Sequence, residues 1–188
     1  MIAALAPHAI KYAAFFRNVN LGRPNKPTKA LLEAAFAQTG ATFVESFLGT
    51  GNVVFAAAST AAARAMVAQA RATLEAECGL REPACLREVA ALASMLQDAP
   101  FAHVERDDVH EYCISFMAAK PAALPPLPLC SARGDLQIFR FSGSEAFGFT
   151  RLVGGRPGNV NGLLERRLEV PLTTRNWNTV RRIVERHA

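Results

Sequence analysis

The sequence predicts an α+β protein with a ferredoxin-like β-α-β-β-α-β unit followed by a related, degenerate second α+β unit. The first observation is that strand-like and helix-like apolar runs follow one another in that order along the first half of the chain. The second is that the later half repeats part of the order, with prolines where one helix is expected. Hydrophobic residues make up 51% of the 188 residues, which is enough for a sizeable core.

The ferredoxin-like unit is predicted to span residues 11–88, after an N-terminal extension at residues 1–10. Residues 12–17 predict a buried strand, and the glycine and prolines of residues 18–28 predict a loop. Thr28 is placed to cap a helix that ends near Gly40. The remaining elements are predicted as strands at 43–48 and 53–55 joined by a tight turn, a helix at 60–78 and a strand at 83–89.

The second unit is predicted to span residues 89–188 and to pack against the first. Four prolines between residues 120 and 129 exclude an ordinary helix there. No clear sequence repeat is present, so only the element order suggests a duplication. The predicted elements are a helix at 89–96, strands at 112–117, 136–141 and 146–150, and helices at 159–168 and 177–187.

Several functional classes lack their usual signals in this sequence. The first ten residues hold no Lys or Arg before their apolar stretch, and no apolar run reaches the roughly 18–20 residues of a membrane span. We therefore expect a cytoplasmic protein without a membrane partner. The four cysteines form no CxxC pair, and the segment from His103 to His110 resembles a solvated acidic loop more than a metal site. No metal and no cofactor is expected.

Catalysis is left open by the sequence. The motifs of serine hydrolases, zinc proteases, phosphate-binding loops and dinucleotide-binding folds do not occur. A triad assembled from distant positions would leave no signal in the spacing. The sequence therefore identifies no catalytic residue.

The net charge of +5 is unevenly distributed. Residues 1–33 hold five Lys/Arg and one Glu, and residues 151–188 hold eight Arg and three Glu. The residues between them hold eight Lys/Arg and twelve acids. Two basic ends that met in the fold would form a cationic surface able to bind nucleic acid, whereas separate ends would be ordinary solvated helix faces.

All eight asparagines lie in four short segments, at residues 17–26, 49–52, 156–162 and 175–178. The same segments contain Arg17, Lys26, Arg156 and Arg175, and Trp177, the one tryptophan, lies in the last of them. One interpretation is structural, with Thr174 or Asn176 capping the last helix and Trp177 packing onto the core. The other is that these loops meet and form a cationic pocket with an aromatic wall.

Four segments of the sequence resemble a known family. FRNVNLG, FLGTGNVVF, NGLLERRLEVP and TTRNWNTV are similar to the motifs of the bacterial family called domain of unknown function 1697. The resemblance extends from about Tyr12 to the C-terminus. It implies an α+β fold related to paired ferredoxin-like units and implies no activity. Asn18, Gly49 and Gly158 replace the Gly, Gln and Lys usual in the family. If the family pocket uses that Gln and that Lys, this member is expected to bind a different ligand or none.

The favoured hypothesis is a small anionic, nucleotide-like or phosphorylated ligand, bound or turned over at these loops. Arg17 and Arg175 would hold the anion, and Trp177 would form a wall. A nucleic-acid-binding module and a structural or protein-interaction role remain alternatives, and the oligomeric state is open. The predicted ligand-binding residues are Arg17, Asn20, Gly22, Asn52, Asn161, Arg175, Asn176 and Trp177.

Overall fold

The computed structural model describes residues 9–104 and 107–188 of the chain. The described residues form five helices and eleven strands, and neighbouring strands in each sheet are antiparallel. The predicted mixed α+β class is therefore confirmed. The chain divides into two compact units: unit 1 extends as far as Ala93 and also includes Ile183–Ala188, and unit 2 is Ser94–Arg182. Among the described helices, none has the length and hydropathy to cross a bilayer.

Unit 1 contains the regular elements in the order strand, helix, strand, strand, helix, strand. Its four strands form one sheet in the order second, third, first, fourth. The predicted hairpin and both predicted helices are confirmed. The elements are β1 (Ile10–Phe16), α1 (Lys29–Ala37), β2 (Val44–Phe47), β3 (Asn52–Ala57), α2 (Thr60–Cys78) and β4 (Ala84–Glu88).

Short polar residues determine where the two helices of unit 1 begin. The Thr28 side chain accepts a hydrogen bond from the N–H of Leu31, so Thr28 caps α1 as predicted. Ser59 caps α2 in the same way, by accepting from the N–H of Ala62. Gly79 ends α2 with a left-handed φ of 71°, a conformation that costs glycine little.

The core of unit 1 lies between α1, α2 and one face of the sheet. Tyr12, Phe16, Phe36 and Phe55 are fully buried there. The Phe36 ring lies edge-on to Phe16, with centroids 6.1 Å apart, and its centroid is 5.0 Å from that of Phe55. These contacts attach α1 to β1 and β3, and so fix the start of the loop that joins β1 to α1.

Unit 2 contains a five-stranded sheet and a small hairpin. Helix α3 (Val89–Gln97) leads into the unit, and α5 (Trp177–His187) leads out of it. The other elements are β5 (Glu111–Met117), β6 (Leu129–Cys130), β7 (Leu136–Ser142), β8 (Glu145–Thr150), β9 (Leu152–Val153), β10 (Arg156–Pro157), α4 (Val160–Leu168) and β11 (Leu172–Asn176). The sheet order is β11-β5-β8-β7-β6, and β9 pairs with β10.

Helix α4 covers one face of the five-stranded sheet. Asn159 caps α4, since its side-chain oxygen accepts from the N–H of Gly162 at 2.9 Å. Buried leucines of α4 share one apolar cluster with Leu136 and Ile138 of β7. Because strand side chains alternate, Gln137 lies on the opposite face.

The structure contains strands that the sequence does not predict. The proline-rich stretch contains no helix, as expected, but ends in the two-residue strand β6. Residues 172–176, for which the sequence predicts no strand, form β11, which ends with Arg175 and Asn176 directly before α5. Residues 172–176 read LTTRN, which lacks an apolar alternation, and their partner β5 is far away in the sequence. The pairing with β5 therefore determines this strand, against weak local preference.

Candidate functional site

The eight predicted ligand-binding residues fall into two groups of four, one in each unit. Unit 1 holds Arg17, Asn20, Gly22 and Asn52, and unit 2 holds Asn161, Arg175, Asn176 and Trp177.

Arg17 lies directly after β1 and fixes the start of the loop that follows. Its backbone N–H donates to the carbonyl of Pro83 at 3.0 Å. Its Nη1 donates to Oε2 of Glu82 at 2.9 Å, and both side chains are about a quarter exposed. The guanidinium is therefore engaged in an ion pair at the edge of the sheet, with one side still open to solvent.

The loop of residues 18–28 folds back onto the β2–β3 turn. The N–H of Leu21 donates to the carbonyl of Gly49 at 2.8 Å, which joins the loop to that turn. The N–H of Gly22 donates to the carbonyl of Pro27 at 3.0 Å, and a φ of 76° at Gly22 makes this closure inexpensive. Asn18 and Asn25 also have left-handed φ values, a conformation that asparagine tolerates better than most residues. The loop therefore has a defined backbone shape.

Gly51 and Asn52, at the β2–β3 turn, support this loop on the side that faces the sheet. A side chain at Gly51 would put its Cβ 2.6 Å from Cβ of Val19, so only glycine allows the two segments to approach this closely. Asn52 is fully buried, and its Nδ2 donates to the carbonyl of Phe47 at 2.9 Å and to Oγ1 of Thr50 at 3.0 Å. Both residues shape the turn on which the loop rests, and the Asn52 side chain does not reach the surface.

The outer surface of the loop presents polar side chains, and the charged ones among them are all positive. Asn20, Arg23 and Asn25 are exposed and Lys26 is half-buried. Within the described part of the chain, none of the four side chains has a hydrogen-bond or ion-pair partner. Arg23, Asn25 and Lys26 are missing from the predicted site, although they stand in the same RNVNLGRPNK segment as Arg17, Asn20 and Gly22. Counting every cation and amide of that segment would have found them.

Arg175 lies on β11 opposite Ile114 of β5 and is 9% exposed. Its Nη1 donates to Oγ1 of Thr173 at 2.7 Å and to the carbonyl of Thr174 at 2.9 Å. The guanidinium is thus hydrogen-bonded to its own strand. These contacts favour a structural role for Arg175 within unit 2.

Asn161 belongs to a chain of polar side chains under α4. Oγ1 of Thr174 donates to Oδ1 of Asn161 at 2.6 Å and lies 2.7 Å from Oγ of Ser115. Ser115 is fully buried, and Thr174 and Asn161 are half-buried. The chain joins α4, β11 and β5, so it satisfies polar groups that would otherwise be costly to bury.

Asn176 and Trp177 lie where β11 passes into α5. The side-chain oxygen of Asn176 accepts from the N–H of Asn178 at 2.8 Å, which satisfies a donor in the first turn of α5. The indole of Trp177 packs against Phe101, with ring centroids 5.1 Å apart, and against Phe147 at 6.2 Å. These contacts agree with the structural interpretation of the two residues, in which Asn176 caps α5 and Trp177 packs onto the core.

No thiol or imidazole of the described residues belongs to either group of predicted residues. Cys113 is buried in β5, and that burial raises the pKa of its thiol to about 12, so it stays protonated. No disulfide joins any of Cys78, Cys85, Cys113 and Cys130, all of which lie in the described part of the chain. His103 and His110 are exposed, and Glu105, between them, lies outside the described residues. Over residues 9–104 and 107–188, no group of three His, Cys, Asp or Glu could hold a metal ion.

Comparison with known proteins gives a family and a fold. None of the curated proteins matches the chain. One solved structure, that of the conserved bacterial protein SP0830 from Streptococcus pneumoniae, matches with a TM-score of 0.60. The two sequences are 19% identical, and the match covers 94% of this chain and 98% of that one. At this identity the likeness concerns the fold alone.

The family model described as "Protein of unknown function (DUF1697)" matches residues 10–147. This stretch includes the loop of residues 18–28 and the β2–β3 turn, and it ends before the motifs around Asn161 and Arg175. It covers well over half of the chain. The chain therefore belongs to the DUF1697 family of proteins of unknown function.

Proposed function

We propose that the chain binds a small anionic ligand, nucleotide-like or otherwise phosphorylated, on the loop of residues 18–28 in unit 1. One observation supports this above the others. The backbone of the loop is held by hydrogen bonds to the β2–β3 turn and within the loop, whereas Asn20, Arg23, Asn25 and Lys26 have no partner in the described part of the chain. A preformed loop with unpaired donors loses little conformational entropy when an anion binds.

The charge of the loop suits an anion. Residues 18–28 include Arg23 and Lys26 and no acidic residue. An arginine can bind two phosphate oxygens at once, and a lysine adds a compact positive charge. Helix α1 begins directly after the loop, and the N-terminus of a helix favours negative charge nearby.

The predicted residues of unit 1 take different parts in this proposal. Asn20 would contact the ligand, because its amide is exposed at the surface of the loop. Arg17, Gly22 and Asn52 would position the loop through the contacts described above. Asn161, Arg175, Asn176 and Trp177 lie in unit 2 and are not required.

The test is a binding screen on the full chain and two variants. The panel holds nucleotides, phosphorylated metabolites, organic acids and short oligonucleotides, each at low and high salt. A ligand that binds only the folded form adds about 2.7 kcal/mol of stability at about 100 times its Kd. We expect the double variant Arg23→Gln with Lys26→Gln to lose this gain. Arg64→Gln, which changes an exposed arginine of α2, should keep it.

Two outcomes would direct attention elsewhere. Undiminished binding by the double variant would place the anion away from this loop. Binding confined to oligonucleotides would favour the nucleic-acid alternative. In that case log affinity should fall with log salt concentration, with a slope of about −0.7 to −0.9 for each neutralised phosphate. A small anion should instead saturate one to one, with a shallower salt dependence.

For the fold, we propose that both units are variants of the ferredoxin-like plan. Unit 1 has the element order of that plan, and its antiparallel sheet runs β2-β3-β1-β4. In unit 2 the strands β7-β8-β5-β11 are neighbours in the corresponding order, with α4 between β8 and β11. The equivalent of α1 would be the proline-rich stretch, which fits a duplicated unit that has lost one helix.

A further inference from the structure

Unit 2 contains a cleft outside both groups of predicted residues. It lies on the face of the five-stranded sheet opposite α4, because it is lined by Gln137 and Phe149, which alternate with residues of the α4 cluster. Its volume of about 520 Å³ is within the range of small-molecule sites. The cleft is lined by Pro100, His103, Val104, Gln137, Phe139, Arg140 and Phe149.

Aromatic rings form the floor of the cleft. The rings of Phe139 and Phe149 are stacked at 30°, with centroids 6.3 Å apart. Phe101 meets Phe139 edge-on, with centroids 5.6 Å apart, and so holds that ring from the side. Phe149 is 1% exposed, and the guanidinium carbon of Arg151 lies 4.6 Å from its ring centroid. Phe149 therefore supports the half-buried ring of Phe139, which is the ring that remains accessible. A flat apolar surface held in this way suits another flat ring.

A β-bulge brings a cation to the same cleft. The register of β7 against β8 shifts between Ile138 and Arg140, so Phe139 is the extra residue in β7. Consecutive residues of a regular strand face opposite sides, yet Phe139 and Arg140 both line the cleft. The bulge therefore sets an aromatic wall beside a guanidinium.

Among the residues that the structure describes, the polar side chains of the cleft have no hydrogen-bond or ion-pair partner. The guanidinium carbon of Arg140 lies 5.5 Å from the centroid of the Phe147 ring, a contact that orients the group and leaves its N–H donors available. Arg140 has no carboxylate partner among residues 9–104 and 107–188. Gln137 and His103 likewise have no side-chain hydrogen-bond partner in that part of the chain. Three polar groups of different chemistry thus border one aromatic surface.

We propose that this cleft binds a small planar aromatic or heteroaromatic anion. The ring of the ligand lies against the half-buried ring of Phe139, and the carboxylate or phosphate of the ligand pairs with the guanidinium of Arg140. Gln137 offers both a donor and an acceptor to the edge of the ring. The site is independent of the loop of residues 18–28, since none of its residues belongs to that loop and its ligand must carry a ring.

The experiment compares matched probes on the full chain by titration calorimetry and ligand-observed NMR. Benzoate and nicotinate carry a ring and a carboxylate, and adenosine monophosphate carries a ring and a phosphate. Cyclohexanecarboxylate keeps the charge without the aromatic ring, and benzamide keeps the ring without the charge. We expect at least one aromatic anion to bind at concentrations of about 1 mM, and its two comparators to bind at least about tenfold more weakly.

Two variants test the residues, and two test the location. Arg140→Gln should weaken the aromatic anion about tenfold or more, because a charge-assisted hydrogen bond is lost. Phe139→Leu should weaken it as well while keeping an apolar side chain. Arg166→Gln, an exposed arginine on α4, should change affinity less than about twofold. The double variant Arg23→Gln with Lys26→Gln should bind the aromatic anion as the wild type does.

Several results would overturn the proposal. The first is that no aromatic anion binds the wild type at about 1 mM. The second is that cyclohexanecarboxylate binds as tightly as benzoate. The third is that affinity is unchanged in both Arg140→Gln and Phe139→Leu variants that remain folded by circular dichroism. Should either variant fail to fold, Gln137→Ala, a change at a half-buried surface position, must weaken binding for the proposal to stand. Loss of binding in the loop double variant would instead assign the ligand to the loop.

Discussion

Units 1 and 2 arrange their strands in one order but cover their sheets differently. The strand order is β2-β3-β1-β4 in unit 1 and β7-β8-β5-β11 among the corresponding strands of unit 2. In both, the central pair is the second strand of the hairpin and the first strand of the unit. Unit 1 buries one sheet face under two helices, α1 and α2. In unit 2, α4 shares the apolar cluster of the sheet, and no helix lies between β5 and β7. In unit 2 a hairpin and two long strand pairings therefore keep this strand order without the first helix.

The largest expected difference in stability concerns α1, which has no helical counterpart in residues 118–135, a stretch that the structure describes in full. Phe36 of α1 is fully buried against Phe16 and Phe55. Phe36→Ala should therefore lower the free energy of unfolding by about 3–5 kcal/mol. Leu124, in the proline-rich stretch of unit 2, is 51% exposed, and Leu124→Ala should cost less than about 0.5 kcal/mol. Urea unfolding measures both values, and equal losses would show that the proline-rich stretch packs like a helix.

The hairpin turns of the two units provide the next comparison. Gly51 in the β2–β3 turn and Gly143 in the β7–β8 turn both have left-handed φ values, 70° and 58°. An alanine at either position is strained by about 1–2 kcal/mol. At Gly51 the new Cβ would also lie 2.6 Å from Cβ of Val19, whereas at Gly143 its nearest neighbour is Oε2 of Glu145 at 3.4 Å.

We therefore expect Gly51→Ala to destabilise by about 3 kcal/mol and Gly143→Ala by about 1 kcal/mol. The change in the urea midpoint at constant slope measures each cost. A Gly143 variant as unstable as the Gly51 variant would mean that backbone strain alone sets both costs. The close approach of the loop to its turn would then have no energetic weight.

The sequence predicts the elements whose local signals agree with their tertiary contacts. Strand β1 is a nearly continuous apolar run, and α2 has a serine cap, an alanine-rich body and a terminal glycine. Strand β11 is not predicted, because LTTRN shows no apolar alternation and its partner strand β5 lies far away along the chain. The bulge at Phe139 is not predicted for a different reason. An extra residue in a strand cannot be recognised from the pattern of side chains alone.

The candidate site is predictable only at the level of segments. The clustering of asparagines and arginines correctly marks strand ends, turns and helix starts, where backbone donors need partners. It does not distinguish Asn20, which is exposed, from Asn52, which is buried and bonded to its own turn. That distinction depends on which loop folds over which turn, and this is a property of the tertiary structure.

The two arginines expected to hold an anion should differ in their effect on stability. Arg175 in unit 2 is nearly buried and bonded to Thr173 and Thr174, so Arg175→Ala should cost about 2 kcal/mol. Arg17 in unit 1 has a partly exposed ion pair with Glu82, so Arg17→Ala should cost about 0.5 kcal/mol. Thermal unfolding of both variants measures the difference. A fully stable Arg175→Ala variant would contradict the structural role and return Arg175 to the candidates for ligand binding.

The smallest expected effect concerns a buried imidazole in unit 1. His187, near the end of α5, is 4% exposed and lies edge-on to the rings of Phe43 and Phe47. Its Nε2 is 3.9 Å from Oε2 of Glu45 and has no hydrogen-bond partner among the described residues. Burial lowers the pKa of His187 below its usual 6.5, against the opposing influence of Glu45. In unit 2 the buried Cys113 thiol stays protonated at neutral and acidic pH.

The sign of the pH dependence follows from this lowered pKa. Well above pH 6.5, the imidazole is neutral in both folded and unfolded chains, and its contribution to stability is complete. As the pH falls below that value, the unfolded chain takes up the proton first, so stability decreases by at most about 1.4 kcal/mol per pH unit. Urea unfolding at about pH 7.5 and about pH 5.5 should show this loss, and His187→Gln should reduce it. His103→Gln, a change at an exposed histidine of unit 2, should leave the loss unchanged.

Hydrogen exchange followed by mass spectrometry shows which unit responds to acid. If the buried imidazole is responsible, peptides from the C-terminal end of α5 and from β2 should lose protection below about pH 6, while those from β5 and β8 keep theirs. This follows because His187 packs against residues in and beside β2 of unit 1. Equal loss of protection in both units would mean that acid acts on the chain as a whole through its many carboxylates. The two units would then differ in the helices that cover their sheets and in core packing, and they would respond to pH in the same way.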